Sequence, residues 1–371
     1  MALSDVKFIL QNGGLGRVLS GDDSTSGFVF SDDTKPASLA KTVLFYSLAE
    51  AEAAGITTTN SPELHYHISN FYDQVTAALY VTFSAGNLTQ DLHDLQAEAE
   101  GAIKQIAVVD PTGFSTASIA TLNTAALQAN ADHEGFSVLY TGDFSSLTLA
   151  TLPNLTTYDY PKVSVVIGAD AAHKEYTAIG ATLGTVAAAN VAYSIGYVRL
   201  FNVVKTGEFE TLGFATGEDY KAVTKAQLDA VKDKGYIFLR KHFGRAGSFH
   251  SESSTATSVT SDYATIENNR TMEKAQRGIR TALVDELNSP LSITEDGKLT
   301  IQTIGKFDLL VRNVLDNMKD NGEVSAFELF IDPAQKVLST SKLEIRVRIV
   351  PLGVVRQIVV PIGFEIKLAN G

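Results

Sequence analysis

Between about residue 40 and residue 205, short apolar runs of strand type alternate with stretches whose apolar positions recur every three to four residues. Ser38 is placed to cap a helix through Ala54, ended by Gly55, and Ser61-Pro62-Glu63 opens a second over Leu64 to Val75. Ala78–Phe83, Ile106–Val109, Phe136–Tyr140 and Val163–Ile167 are apolar, β-branched runs bounded by Gly, Pro or Asp, and read as strands. A helical pattern fills 117–130. Strands at this spacing with helices between them predict βαβ units and a mainly parallel sheet. The small-residue stretch Ala169 to Ala192 predicts a helix lying close on that sheet.

The second half has another rhythm. Helices are expected over Tyr220 to Lys232, Ser261 to Leu287 and Lys306 to Lys319, with strands at Val324–Ile331, Leu343–Val350 and Val354–Leu368. Gly244 to Thr260, rich in Gly, Ser and Thr, reads as a loop. The expected fold class is α/β followed by α+β.

The ends of the chain carry the clearest alternation. Leu343, Ile345, Val347 and Ile349 share one face, with Lys342, Glu344, Arg346 and Arg348 on the other. After Pro351-Leu352-Gly353 the phase resets, and Val354, Ile358, Val360, Ile362, Phe364, Ile366 and Leu368 share a face interrupted by Arg356. At the other terminus Val6, Phe8 and Leu10 alternate with Asp5 and Lys7. Strands with one apolar face at both termini are either edges of the chain's own sheet or arms added to another copy's sheet.

Composition narrows the function. With 44% apolar residues in 371, a packed core is expected and wholesale disorder is excluded. Cysteine is absent, which removes disulfides, thiolate nucleophiles and cysteine-ligated metals. The net charge of −12 argues against binding a phosphate backbone. No apolar stretch reaches the roughly 18 residues of a spanning helix, and nothing at the N-terminus reads as a secretion signal, so the chain is expected to be soluble and made inside the cell. Charge is uneven: residues 1–160 carry 5 basic and 18 acidic side chains, and the remainder 25 and 24. That asymmetry suits either a solvated acidic domain or copies meeting head to tail, a heterologous contact that builds rings or helical arrays.

Candidate chemistry is sparse. Gly13-Gly14-Leu15-Gly16 lacks dinucleotide-binding spacing, Gly180 and Gly184 lie inside a helical pattern, and no phosphate-loop motif occurs. His65 and His67 are two apart and diverge on a helix, while His242 and His250 flank a loop, so no metal site is expected. The pairs Asp22-Asp23 and Asp32-Asp33 read as solvated turns, and no GxSxG is present. No constellation argues for catalysis or a cofactor.

Several segments carry a resemblance. Gly235-Tyr-Ile-Phe-Leu-Arg-Lys-His-Phe-Gly244, Ser261-Asp-Tyr-Ala-Thr-Ile-Glu-Asn-Asn-Arg-Thr271, Glu286-Leu-Asn-Ser-Pro290, Ile331-Asp-Pro-Ala-Gln335, Leu338 to Pro351 and Gly353 to Phe364, in that order and spacing, resemble the contractile phage tail sheath family. The resemblance implies a structural, non-enzymatic subunit that forms stacked hexameric rings around a tail tube and contracts to drive the tube through an envelope. It implies an N-terminal arm over 1–20, an α/β domain over 21–205, a sheath core over 206–350 and a C-terminal strand arm over 351–371. It assigns inter-subunit strands to Val6, Phe8, Leu10, Val354, Ile358, Val360, Ile362, Phe364 and Ile366. It also implies tube, baseplate and tail-terminator partners, with no nucleic acid and no membrane insertion, and a place on a virion tail or injection particle. A bacterial contractile injection system is the alternative, and a soluble α/β enzyme the competing class. Arg270, Lys274 and Arg277 share one helical face; they are expected either as a solvated basic stripe or as a contact to the tube.

Overall fold

The computed structural model describes residues 23–205 and 207–364. In chain order the first part holds β1 (Ser26–Ser31), β2 (Thr42–Phe45), α1 (Leu48–Ala53), α2 (Pro62–Gln74), β3 (Leu79–Ser84), α3 (Leu88–Glu98), β4 (Gln105–Val109), α4 (Thr116–Ala131), β5 (Ser137–Thr141), β6 (Asp159–Tyr160), β7 (Val163–Val166), β8 (Gly168–Asp170), β9 (His173–Thr177), α5 (Ile179–Ala188) and β10 (Leu212–Phe214). There follow α6 (Lys225–Asp233), β11 (Tyr236–Ile237), β12 (Leu239–His242), β13 (Arg245–His250), β14 (Ala256–Thr257), α7 (Ile266–Leu283), α8 (Ile301–Asp320), β15 (Ala326–Phe330), α9 (Val337–Thr340) and β16 (Arg346–Val350).

A seven-stranded sheet in the order β11-β7-β5-β4-β1-β3-β2 organises the first 257 residues. All its pairings are parallel except β2 on β3, as the alternation of strands and helices predicts. Both faces are covered. Phe28 and Phe30 of β1 point into a core with α2 and α5, while Val29 points into the other with α3 and α4. Gly180 and Gly184, inside the helix expected on the sheet, lie against α2: a Cβ on Gly180 would lie 2.2 Å from the His67 carbonyl oxygen and one on Gly184 2.6 Å from that of Phe71. Helices α2 and α5 therefore meet backbone to backbone.

Four expectations are corrected. The helix expected from Ser38 is strand β2 and then the short α1, capped by Ser47, whose side chain accepts from the Glu50 amide. The helix expected over Ala169–Ala192 is confined to α5; ahead of it Asp170 accepts from the Ala172 amide and turns β8 into β9. The Gly244–Thr260 loop contains β13 and β14, because its hydroxyls find internal acceptors: Ser248 donates to the Phe209 carbonyl and Ser253 to Glu267. The sheet also takes its edge strand β11 from beyond residue 205, so the expected boundary falls inside the α/β body.

The C-terminal unit is smaller. Helices α7 and α8 pack on one face of the antiparallel pair β15–β16, which runs in register from Ala326–Val350 to Phe330–Arg346. Ala275, Val311, Leu315 and Met318 form the core, closed by Phe327, Leu329, Ile345, Val347 and Ile349. The inward face of β16 is the one the alternation marked. Among the described residues both outer edges of this two-stranded sheet are unpaired.

Candidate functional site

The N-terminal half of α7 docks on the α/β body through polar groups. Arg270 is 3% exposed, with its guanidinium donating to the Ala189 carbonyl at 3.1 Å and the Asp23 carbonyl at 3.3 Å. Burial pulls its pKa down to about 10, leaving it charged at neutral pH. Lys274 reaches Asp23 and Glu323, each at 2.6 Å, and Arg277 reaches Asp23 at 3.1 Å. Burial lowers the Lys274 pKa, but the hydrogen bonds to Asp23 and Glu323 outweigh it and hold the ammonium above its usual value. One turn away Glu273 forms a buried pair with Lys162 at 2.6 Å. The shared face of Arg270, Lys274 and Arg277 is real, but it is not an exposed stripe. It joins the two units of one chain, and Asp23, expected in a solvated turn, is its counter-ion.

The C-terminal arm leaves from the same junction. Val354 is half-buried, and Arg356 donates to Glu252 at 3.0 Å and Glu267 at 3.2 Å. Glu267 is 3% exposed and also accepts from the Ser253 hydroxyl at 2.6 Å. Burial raises its pKa above the usual carboxylate value, opposed by that hydroxyl and by Arg356. Two buried carboxylates thus hold one arginine from a segment that has no secondary structure. Sequence alone shows the signal only as an arginine breaking an apolar alternation.

Beyond Arg356 the arm is bare. Ile358 is 80% exposed, Val360 73%, Ile362 95% and Phe364 109%. The strand expected over Val354–Leu368 is not formed through Phe364, where no described residue pairs with it. Val6, Phe8, Leu10 and Ile366 lie outside the described residues.

Beside the arm's root a cleft of about 850 Å³ is lined by Tyr193, Tyr197, Arg199, Lys232, Arg240 and Arg245 among others, with Leu352 to Arg356 as one wall. The histidines do not converge: His65 pairs with Glu52 at 2.8 Å, His67 packs against Phe28, and His250 is buried against the Thr182 hydroxyl. Burial draws the His250 pKa down to about 3. Among the described residues no group of three His, Asp or Glu side chains is placed to hold a metal, and no helix is long and apolar enough to cross a membrane. What the arrangement offers, among the described residues, is pairing surface: an unpaired apolar stretch following a two-stranded sheet.

Comparison with solved structures finds the same fold in sheath subunits. The anti-feeding prophage helical sheath in its contracted state superposes with a TM-score of 0.69 at 17% identity, over 98% of this chain and 100% of that one. The PVC sheath complex of an extracellular contractile injection system, also contracted, gives 0.69 at 12%, over 99% of each chain. The sheath tail protein from Listeria innocua gives 0.56 at 9%, over 89% and 96%. No curated protein sequence matches. Family models match nearly the whole chain, the DUF2586 N-terminal domain over residues 3–254 and the DUF2586 C-terminal domain over 262–369. With a parallel-sheet body, an open C-terminal sheet and both models in order, the chain belongs to the DUF2586 family.

Proposed function

We propose that this chain is the structural subunit of a contractile sheath in an injection system, polymerising around a tube, with no bond chemistry of its own. The observation that carries the reading is the arm. Ile358, Val360, Ile362 and Phe364 stand largely exposed beyond an anchored Arg356, following a sheet whose two edges are unpaired among the described residues. An apolar strand without a partner and a sheet edge without a strand complete each other when copies exchange them. Main-chain hydrogen bonds then act as extensible couplings, while the bodies rotate and repack between an extended and a contracted array. Tube and baseplate proteins are the partners this role requires.

The injection-system form is preferred because the anti-feeding prophage and PVC sheaths superpose over essentially the entire chain. The phage-tail form, supported by the Listeria innocua likeness at a TM-score of 0.56, is the second reading. Deleting residues 357–371 tests the proposal. The shortened chain should keep the circular-dichroism spectrum of the full chain yet form no tubes or rings in negative stain. Tubes formed as readily as by the full chain would overturn it.

A further inference from the structure

The cleft beside the arm has an unbalanced charge. Arg199, Lys232, Arg240 and Arg245 come from four separate elements and face it together, and none of them is ion-paired among the described residues. The carboxylate in its wall, Glu252, is already taken by Arg356. In a chain of net charge −12, four free cations gathered in one concavity mark a place for an anionic surface.

The rim says what kind of surface. Tyr193 is 37% exposed and Tyr197 44%; Phe243, outside the lining but next to His242 at the tip of the β12–β13 hairpin, is 110% exposed. Arginine and aromatic side chains are the residue types enriched at the centres of protein interfaces. An inorganic anion has no use for the exposed rings, and a protein does.

The position of the cleft says which protein. Its wall from Leu352 to Arg356 is the root of the arm, and the eight described residues after Arg356, through Phe364, span at most about 29 Å when extended. A copy held by that arm lies close to the cleft. The same chain carries a matching surface. Glu98, Glu100, Asp132 and Glu134 are exposed at the C-terminal ends of α3 and α4, and the Glu134 side chain lies against Gly101. Neither helix has a basic residue in its last turn. Carboxylates at helix C-termini add to the negative end of the helix dipole, so this corner gains from an external cation.

We propose that the cleft docks a second copy of the chain, with Arg199, Lys232, Arg240 and Arg245 receiving the Glu98, Glu100, Asp132 and Glu134 corner of its α/β body. The inference rests on the sheath reading for the neighbouring copy and names the contact that reading leaves open. The contact is heterologous, since cleft and corner are different surfaces, and it propagates rather than closing on itself.

Charge exchange in the full chain tests it. A cleft variant (Arg199→Glu, Arg240→Glu, Arg245→Glu) and a corner variant (Glu98→Lys, Glu100→Lys, Glu134→Lys) should each raise the critical concentration for polymer by about tenfold or more in sedimentation. The chain carrying both sets should return to within about threefold of the unaltered protein, because the pairs are restored with signs exchanged. Variants that assemble normally, or a combined chain no better than either parent, overturn the contact while leaving the sheath reading standing. A carbodiimide cross-link in the unaltered chain decides independently of variant folding and of polymer growth. Mixed light- and heavy-isotope populations should yield peptides joining Lys232 of one copy to a corner carboxylate of another. Their absence at concentrations where copies associate overturns the contact. If no polymer forms under any condition the sheath reading fails, and the isotope-mixed cross-link still reports on the contact itself. Millimolar phosphate that dissolves polymer far beyond sodium chloride of equal ionic strength, without that cross-link, assigns the cleft to small anions instead.

Discussion

The seven-stranded sheet of the α/β body is covered on both faces and ends at one edge in an antiparallel strand, whereas β15–β16 is covered on one face and, among the described residues, has only two strands. The body buries both faces of its sheet; the C-terminal unit buries one. A parallel sheet needs helices on both sides and so is completed within the chain. A two-stranded antiparallel ribbon is marginal alone and gains from every strand added. The difference makes the smaller unit the one that gains most from an added strand.

The contrast is broken most severely from the body. Gly180→Leu places side-chain atoms where the His67 carbonyl lies 2.2 Å from the nearest added carbon, so α5 must lift from α2. Urea titration should show a loss of about 3 kcal/mol, the upper end of overpacking costs. An unchanged midpoint would mean the helices do not meet as described.

The junction comes next. Arg356→Ala leaves Glu252 and Glu267 without their cation, and Glu267 is 3% exposed. Because Arg356 itself is 41% exposed, the expected cost is below that of a fully buried pair, about 2 kcal/mol. Adding Glu267→Gln should recover part of it, a coupling that a double-mutant cycle reads directly. Independent, additive effects would dissolve the clasp.

Acid reaches the body before it reaches the ribbon. His250, with its pKa near 3 in the fold and about 6.5 when unfolded, binds fewer protons in the folded state between those values. Stability contributed by keeping it neutral is therefore full above about pH 6.5 and falls as pH drops, by about 2 kcal/mol at pH 5. His250→Gln should flatten the pH dependence of the melting temperature between 5 and 7 whatever it does to the absolute value. An unchanged slope would show that other groups govern it.

The smallest effect belongs to the outward face of the ribbon. Arg348 and Glu328 face each other at 3.4 Å, both about 70% exposed, so Arg348→Ala should change stability by less than about 0.5 kcal/mol. A larger loss would mean this face is covered even in the isolated chain.

Much of the body was legible because β3, β4, β5 and β7 are each a compact apolar run with its own turn signals. The interior strand β1 was not: in Ser26-Gly-Phe-Val-Phe-Ser31 only three consecutive residues are large and apolar, both faces are buried and acidic turns flank it, so it shows no alternation. The inward face of β16 and the bare arm were visible as period-two patterns. The basic face of α7 shows why the rest was hidden. Spacing places Arg270, Lys274 and Arg277 on one side of a helix, but what covers that side is Asp23, some 250 residues earlier in the chain. The cationic cleft is invisible for the same reason, since four elements each contribute a single residue.

The close approach of α2 and α5 bears on how such a subunit carries load. Where two helices touch main chain to main chain, no side chain is left between them to bend or change rotamer under stress, and the seam behaves as one stiff plate. The described stretch after Arg356, through Phe364, is the opposite, a thin segment without secondary structure. In the array proposed above, with the two in series, the stiff plates deform little and these tethers take nearly all the strain. Displacement along the array is then set by the length of the tether, and force by the plates that stay rigid while it is paid out.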